Sequence, residues 1–246
     1  MGKEYRNYAF DLYGTLVDIH TEEDDPALWD RLAWVFRLKG AVYTPEELRE
    51  AYGRLCREAQ REKDAELWMR QIPGPGEPEL FHVWEALGKV RGVSFDAQEV
   101  RDIACVFRAL SMRHLRLFPG AAEMLKKLRK MGKRVFLLSN AQVDFTMPEL
   151  KCLGLEQLFD GILLSGAAGV RKPSPAFYRK LLRDYRLDPA ETLMVGNDDI
   201  CDCHGAANVG LDSLYIHTAQ SPERVKPLPE NCREIETISQ VAEYEP

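Results

Sequence analysis

Apolar residues recur along the chain in two rhythms, and the change between them divides it. The run Tyr8-Ala9-Phe10 leads into Asp11-Leu12-Tyr13-Gly14-Thr15 and reads as a short strand ending in a glycine turn. From about residue 18 to 114 the pattern becomes helical, with no convincing strand. Trp29, Leu32, Ala33 and Phe36 recur at the spacing of a helix face. Thr44-Pro45-Glu46-Glu47 is a capping box with proline at the first helical position, and it opens a helix towards Met69. The stretch from Ile72 to Pro78 must be loop, because neither a helix nor a sheet ladder tolerates its density of proline and glycine. Asp96 with Glu99 marks a further helix start, and the helix is expected to run to about Leu115.

From Phe118 onward helix and strand alternate. Pro119-Gly120-Ala121 opens an amphipathic helix through Met131, and Arg134-Val135-Phe136-Leu137-Leu138 is a continuous apolar strand. Gly161–Leu164, Thr192–Val195 and Ser213–Ile216 are further short apolar runs. Strands apolar on both faces, each followed by a helix, imply a parallel sheet covered on both sides. The expectation is one α/β core interrupted after its first strand by a helical insert.

In such a sheet, ligands bind at the carboxyl ends of the strands. The residues there are Asp11 to Thr15, Ser139-Asn140, and Gly196-Asn197-Asp198-Asp199 with Asp202, while Lys172 can reach the rim from a loop. Carboxylates, hydroxyls, amides and one ammonium therefore converge on a single edge.

Composition narrows the class. With 246 residues, 45% of them hydrophobic, the chain can bury a real core and is not a disordered polymer. No apolar run approaches the roughly 20 residues of a bilayer span, so no membrane partner is expected. A net charge of −6 argues against nucleic acid, whose phosphates require clustered cations; the basic run Lys126-Lys127-Leu128-Arg129-Lys130 reads as a solvated helix face. The N-terminus has no secretory or myristoylation pattern, and six cysteines in a chain of this size suggest reduced thiols, so a cytoplasmic location is expected. Oligomeric state is left open.

The strand-end segments resemble the haloacid dehalogenase-like (HAD) hydrolase superfamily. Asp11-Leu12-Tyr13-Gly14-Thr15-Leu16-Val17-Asp18 is similar to its first motif, and Leu137-Leu138-Ser139-Asn140 to its second. Gly169-Val170-Arg171-Lys172-Pro173 is similar to the third, and Val195-Gly196-Asn197-Asp198-Asp199-Ile200-Cys201-Asp202 to the fourth. The resemblance implies an α/β fold, a Rossmann-like parallel-sheet core with an inserted α-helical cap domain. The core would comprise residues 1–17 and 115–246 and the cap residues 18–114. It further implies a covalent reaction in which Asp11 is the nucleophile, with Tyr13, Thr15, Ser139, Asn140 and Lys172 assisting. Substrate contacts would come from Gly14, Thr15, Ser139, Asn140 and Lys172. A magnesium ion would be held among Asp11, Tyr13, Asn197, Asp198 and Asp202, and the substrate would be a small anionic, phosphorylated metabolite.

Two positions depart from the phosphatase pattern. Tyr13 stands where a general-acid aspartate is usual, and a phenol with a free pKa near 10 is a poor base for activating water. Asn197 stands where a magnesium-binding aspartate is usual, and its amide oxygen brings no charge. The tyrosine resembles the 2-haloacid dehalogenase branch, whose chemistry needs neither acid nor metal. That branch carries an arginine beside a tryptophan in its cap, a feature that Trp34-Val35-Phe36-Arg37 matches poorly, and its fourth motif lacks the acid-rich turn. The acidic turn favours the magnesium-dependent phosphatase; a dehalogenase and a catalytically weak binding or regulatory protein are the alternatives. Cys201-Asp202-Cys203-His204 lacks the second ligand cluster of a zinc site. Tyr178 and the cap aromatics Trp29, Trp34, Trp68, Phe81 and Trp84 read mainly as packing.

Overall fold

The computed structural model describes residues 4–244. The chain opens with β1 (Asn7–Phe10) and β2 (Val17–Thr21), then helices α1 (Pro26–Leu38), α2 (Pro45–Met69), α3 (Leu80–Val90) and α4 (Ala97–Ser111). Strand β3 (Met112–Leu117) returns the chain to α5 (Ala121–Lys130), β4 (Arg134–Ser139), α6 (Val143–Cys152) and β5 (Gly161–Leu164). A short helix α7 (Ser165–Ala168), α8 (Pro175–Asp184), β6 (Thr192–Gly196), a π-helical turn Asp199–His204, α9 (Gly205–Ala207), β7 (Asp212–Ile216) and β8 (Cys232–Ile235) follow.

The core sheet has the order β5-β4-β1-β6-β7-β8, and every pairing in it is parallel. Alternation within each strand feeds two separate layers, as a doubly covered sheet requires. Phe10, Val135, Leu137, Leu193 and Val195 pack with Leu125 and Leu128 of α5 on one face. Ala9, Phe136, Leu138 and Met194 pack with Phe177, Tyr178 and Leu181 of α8 on the other. Strand β1 lies centrally, paired with β4 and β6, so the residues following these three strands meet at one carboxyl edge.

Helices α1 to α4 pack on one another through a third apolar cluster that includes Phe36, Trp84 and Phe107, all fully buried. Each such side chain contributes about 1.5–3 kcal/mol through its burial. The helix starts follow the capping residues: Thr44 and Glu47 close a capping box at α2, as do Asp96 and Glu99 at α4.

The chain departs from the sequence expectation in two places. The helix from Asp96 does not run to Leu115; it ends at Ser111, and the chain enters β3, which pairs antiparallel with β2. The region expected to lack strands is thus entered and left through a two-stranded ribbon. Alternation is short and broken, holding over Val17-Asp18-Ile19-His20 and Leu115-Arg116-Leu117 but lost at His20-Thr21 and Arg113-His114, so it is hidden beside a strong helix. Strand β8 was also hidden, because its central residues Arg233 and Glu234 are exposed.

The loop from Ile72 to Pro78 is hydrogen-bonded to the core. Its Pro75 carbonyl accepts from the Arg171 N–H at 3.2 Å, and its Glu77 N–H donates to the Gly169 carbonyl at 3.2 Å. The Ser174 hydroxyl donates to the Pro73 carbonyl, and the Gln142 amide donates to Glu77 at 2.9 Å and to the Pro78 carbonyl at 3.0 Å. The insert is therefore strapped to the core segment that carries Lys172.

Candidate active site

The turn after β1 is built around the Leu12 carbonyl, which accepts from the N–H groups of Thr15, Leu16 and Val17. Glycine is required at position 14 on two counts. Its φ is +82°, and an added Cβ would stand 2.3 Å from the Asn197 amide nitrogen. The Asp11 N–H donates to the Val195 carbonyl at 2.9 Å, which ties the turn to β6.

Asp11 then faces three donors. Lys172 Nζ lies 2.6 Å from its Oδ1, the Ser139 hydroxyl 3.4 Å from the same oxygen, and the Thr15 hydroxyl 3.3 Å from Oδ2. Lys172 is buried and also reaches Asp202 Oδ1 at 2.7 Å. Burial disfavours its charge, but the carboxylates of Asp11 and Asp202 outweigh that and raise its pKa above the ordinary lysine value. Burial likewise pushes the Asp202 carboxyl above the usual carboxylate range, against the pull of Lys172. Asn140, which lines the same rim, also bonds the lysine loop. Its side chain accepts from the Lys172 N–H at 2.8 Å and donates to the Lys172 carbonyl at 3.1 Å.

The acid-rich turn separates its carboxylates. Asp198 Oδ1 accepts from the N–H groups of Ile200 and Cys201 at 2.9 and 2.7 Å, capping the π-helical turn. Asp199 points away, accepting from the N–H groups of Val225 and Lys226. Asp202, expected in the metal shell, has both oxygens engaged, one by Lys172 and one by the Asp198 N–H at 3.0 Å. Its position holds the lysine instead. Among the described residues no three His, Cys, Asp or Glu side chains converge as a metal cage. Oxygens of a different kind do converge: the Thr15 hydroxyl lies 3.3 Å from Asp11 Oδ2 and 3.2 Å from Asn197 Oδ1.

Tyr13 requires a correction. Its phenol, expected to assist chemistry or bind metal, donates to the Glu149 carboxylate and lies 3.0 Å from the Thr146 hydroxyl. Burial, reinforced by the Glu149 charge, lifts the phenol pKa above its ordinary value.

Asp11, Tyr13, Ser139, Asn140, Lys172, Asn197, Asp198 and Asp202 line one cavity of about 190 Å³, together with Cys201, Gln220 and Pro222. A larger cleft of about 910 Å³ lies wholly on residues 23–91 and contains no strand-end residue. Gln220 gave no sequence signal; the loop after β7 brings it in, and its amide donates to Asp18 Oδ1 at 2.6 Å and to the Ile19 carbonyl at 2.5 Å. Tyr178 braces the acidic turn from beneath, its hydroxyl donating to the Cys201 carbonyl at 2.6 Å. The zinc-like run disperses: Cys203 packs with Tyr215 and Cys232, while His204 meets the Pro227 carbonyl. All six cysteines are free.

The chain is similar to known proteins over this same framework. It is 31% identical over 103 residues to a glyceraldehyde 3-phosphate phosphatase of Pyrococcus abyssi, covering 42% of this chain and 43% of that one. It is 31% identical over 150 residues to a phosphoserine phosphatase of Thermus thermophilus, covering 61% and 58%. The match thus spans about half the length of these curated relatives. The fold is similar to that of a 2-haloacid dehalogenase from Pseudomonas syringae pv. Tomato, with a TM-score of 0.64, 22% identity and 97% of each chain covered. No helix among the described residues is long and apolar enough to cross a membrane. Residues 5–210 match the family model of the haloacid dehalogenase-like hydrolases, and the chain belongs to that family of enzymes.

Proposed function

We propose that the protein is a magnesium-dependent phosphatase of a small phosphorylated metabolite, working through an aspartyl-phosphate on Asp11. The observation that carries this reading is the set of oxygens at the rim. Asp11 Oδ2 and Asn197 Oδ1 both lie within 3.3 Å of the Thr15 hydroxyl, and Asp198 lines the same cavity. Hard oxygens without thiolate or imidazole suit magnesium. Asp11, Asn197 and Asp198 would hold it, and when bound it would neutralise phosphate charge beside the nucleophile.

The chain's own groups account for the other requirements. Lys172 and the hydroxyls of Thr15 and Ser139 supply donors to phosphate oxygens. Asp11 attacks phosphorus as the ester P–O bond breaks, and water then hydrolyses the acyl-phosphate. With the Tyr13 phenol committed to Glu149, the leaving oxygen takes its proton from solvent, so the quality of the leaving group matters. The helical insert, residues 18–114, serves as the cap over a core of residues 1–17 and 115–246. The dehalogenase reading is weakened by the insert: Trp34 is 55% exposed with Arg37 stacked on it at 5.1 Å, and neither lines the Asp11 cavity.

The test is an assay of an aryl phosphate ester and a 2-halo acid, each with and without magnesium. Phosphate release that requires the metal and disappears in Asp11→Asn is the expected result. Metal-independent halide release would favour the dehalogenase, and no turnover of a broad phosphate panel by the folded protein would favour a binding protein of the same fold.

A further inference from the structure

Beside the nucleophile turn lies a buried polar junction centred on Glu149, a residue that no motif contains. Glu149 on α6 is 5% exposed and takes a bond on each oxygen. Oε2 accepts from the Tyr13 phenol, and Oε1 accepts from Arg108 Nε of α4 at 2.6 Å. The fully buried Thr146 bonds the same phenol, and the Arg108 guanidinium lies 5.8 Å from the Tyr13 ring centre and 5.2 Å from that of Phe145. Phe145, on α6, belongs to the apolar cluster of the insert. Three parts of the fold thus meet on one carboxylate: the turn carrying Asp11, helix α6 of the core, and helix α4 of the insert.

A buried ion pair of this kind is a weak source of stability, because desolvation offsets most of the attraction and a matched apolar pair holds a fold as well. What leucine and methionine could not supply is direction. The two carboxylate oxygens fix the phenol on one side and the guanidinium on the other.

We propose that Glu149 is a positioning residue: it anchors Tyr13, and through it the turn presenting Asp11, to the seat of the helical insert at Arg108. The proposal rests on the reading of Asp11 as the nucleophile two residues upstream of Tyr13. Glu149 and Arg108 touch no reacting atom in this account; they set where the nucleophile turn sits relative to the insert. A displacement of the turn by about 1 Å is enough to cost up to about 100-fold in rate.

The test uses the full chain and two variants. Tyr13→Phe releases the phenol and leaves the ion pair whole. Arg108→Met/Glu149→Leu removes both charges together, so that neither is left buried and unpaired. Both are expected to fold, to lower kcat on the aryl ester about 10- to 100-fold with KM little changed, and to speed hydrogen exchange at the Leu16 and Val17 amides. Those amides bond the Leu12 carbonyl at 2.8 and 2.9 Å and report the order of the turn without any turnover. Wild-type kcat and wild-type exchange in the folded double variant would overturn the proposal, as would a change confined to KM. If the wild-type protein hydrolyses neither substrate, the proposed function fails, while unaltered exchange in both variants would still separately refute the anchoring.

Discussion

Replacing Lys172 by methionine keeps most of the side-chain volume and removes the charge together with the N–H donors that reach Asp11 and Asp202. The ammonium lies 2.6 Å from Asp11 and 2.7 Å from Asp202, with the Lys172 and Asp202 side chains each 1% exposed. Removing one partner of a buried ion pair costs about 3–5 kcal/mol, because the remaining charge stays desolvated without compensation. For a chain of this size that corresponds to a fall of about 6–20 °C in Tm, read by thermal unfolding followed by circular dichroism. The orphaned Asp202 carboxyl, already raised by burial and now without the pull of Lys172, then has a folded-state pKa further above its unfolded one. The folded variant binds more protons than its unfolded chain, and it regains stability relative to wild type as pH falls from about 8 to about 5. Lys172→Met/Asp202→Asn removes the buried carboxylate as well and should recover more than half of the loss, with turnover still absent. A loss below about 1 kcal/mol in the single variant, or no recovery in the double variant, would refute the picture of an ammonium held between two buried carboxylates.

Three further outcomes follow from the site. Asn197→Asp adds a charge beside Asp11 Oδ2 and should lower the magnesium concentration for half-activation about tenfold or more, with calorimetric titration as the check; weaker binding would remove Asn197 from the metal shell. Aryl phosphates should turn over faster than alkyl phosphates, and Tyr13→Phe should slow both by the same factor, since the phenol faces Glu149; selective damage to alkyl esters would make it the proton donor. Burial, aided by Asp198 and Asp202, pushes the Cys201 thiol up to about 12. At about pH 8 iodoacetamide should therefore label exposed Cys105 and Cys152 and spare Cys201, and equal labelling by mass spectrometry would contradict this.

The core was legible because its signals are local. Each of β1, β4, β5, β6 and β7 is a short apolar run, and buried strands of a parallel sheet need apolar residues on both faces. The capping boxes at Thr44 and Asp96 placed two helix starts, since a cap is decided within four residues. The ribbon of β2 and β3 was not legible. Its strands gain their ladder only from each other, and the Val17–Leu117 pairing joins positions on opposite sides of the whole insert. Asp11, Thr15, Ser139 and Lys172 were placed together because strand ends of a parallel sheet share one edge.

Residue order alone dictated a glycine turn after β1, a lysine loop and an acidic turn, because each depends on backbone chemistry within a few positions. Which acid does what was decided in three dimensions. Asp198 caps, Asp199 holds a distant loop, and Asp202 holds Lys172, according to the donors that packing brings within about 3 Å of each, the reach of a hydrogen bond. Tyr13 shows the same division most sharply. Its place in the motif could be read from its neighbours, but the direction of its hydroxyl was set by Glu149, 136 positions away, because a buried phenol turns towards whatever acceptor the fold supplies.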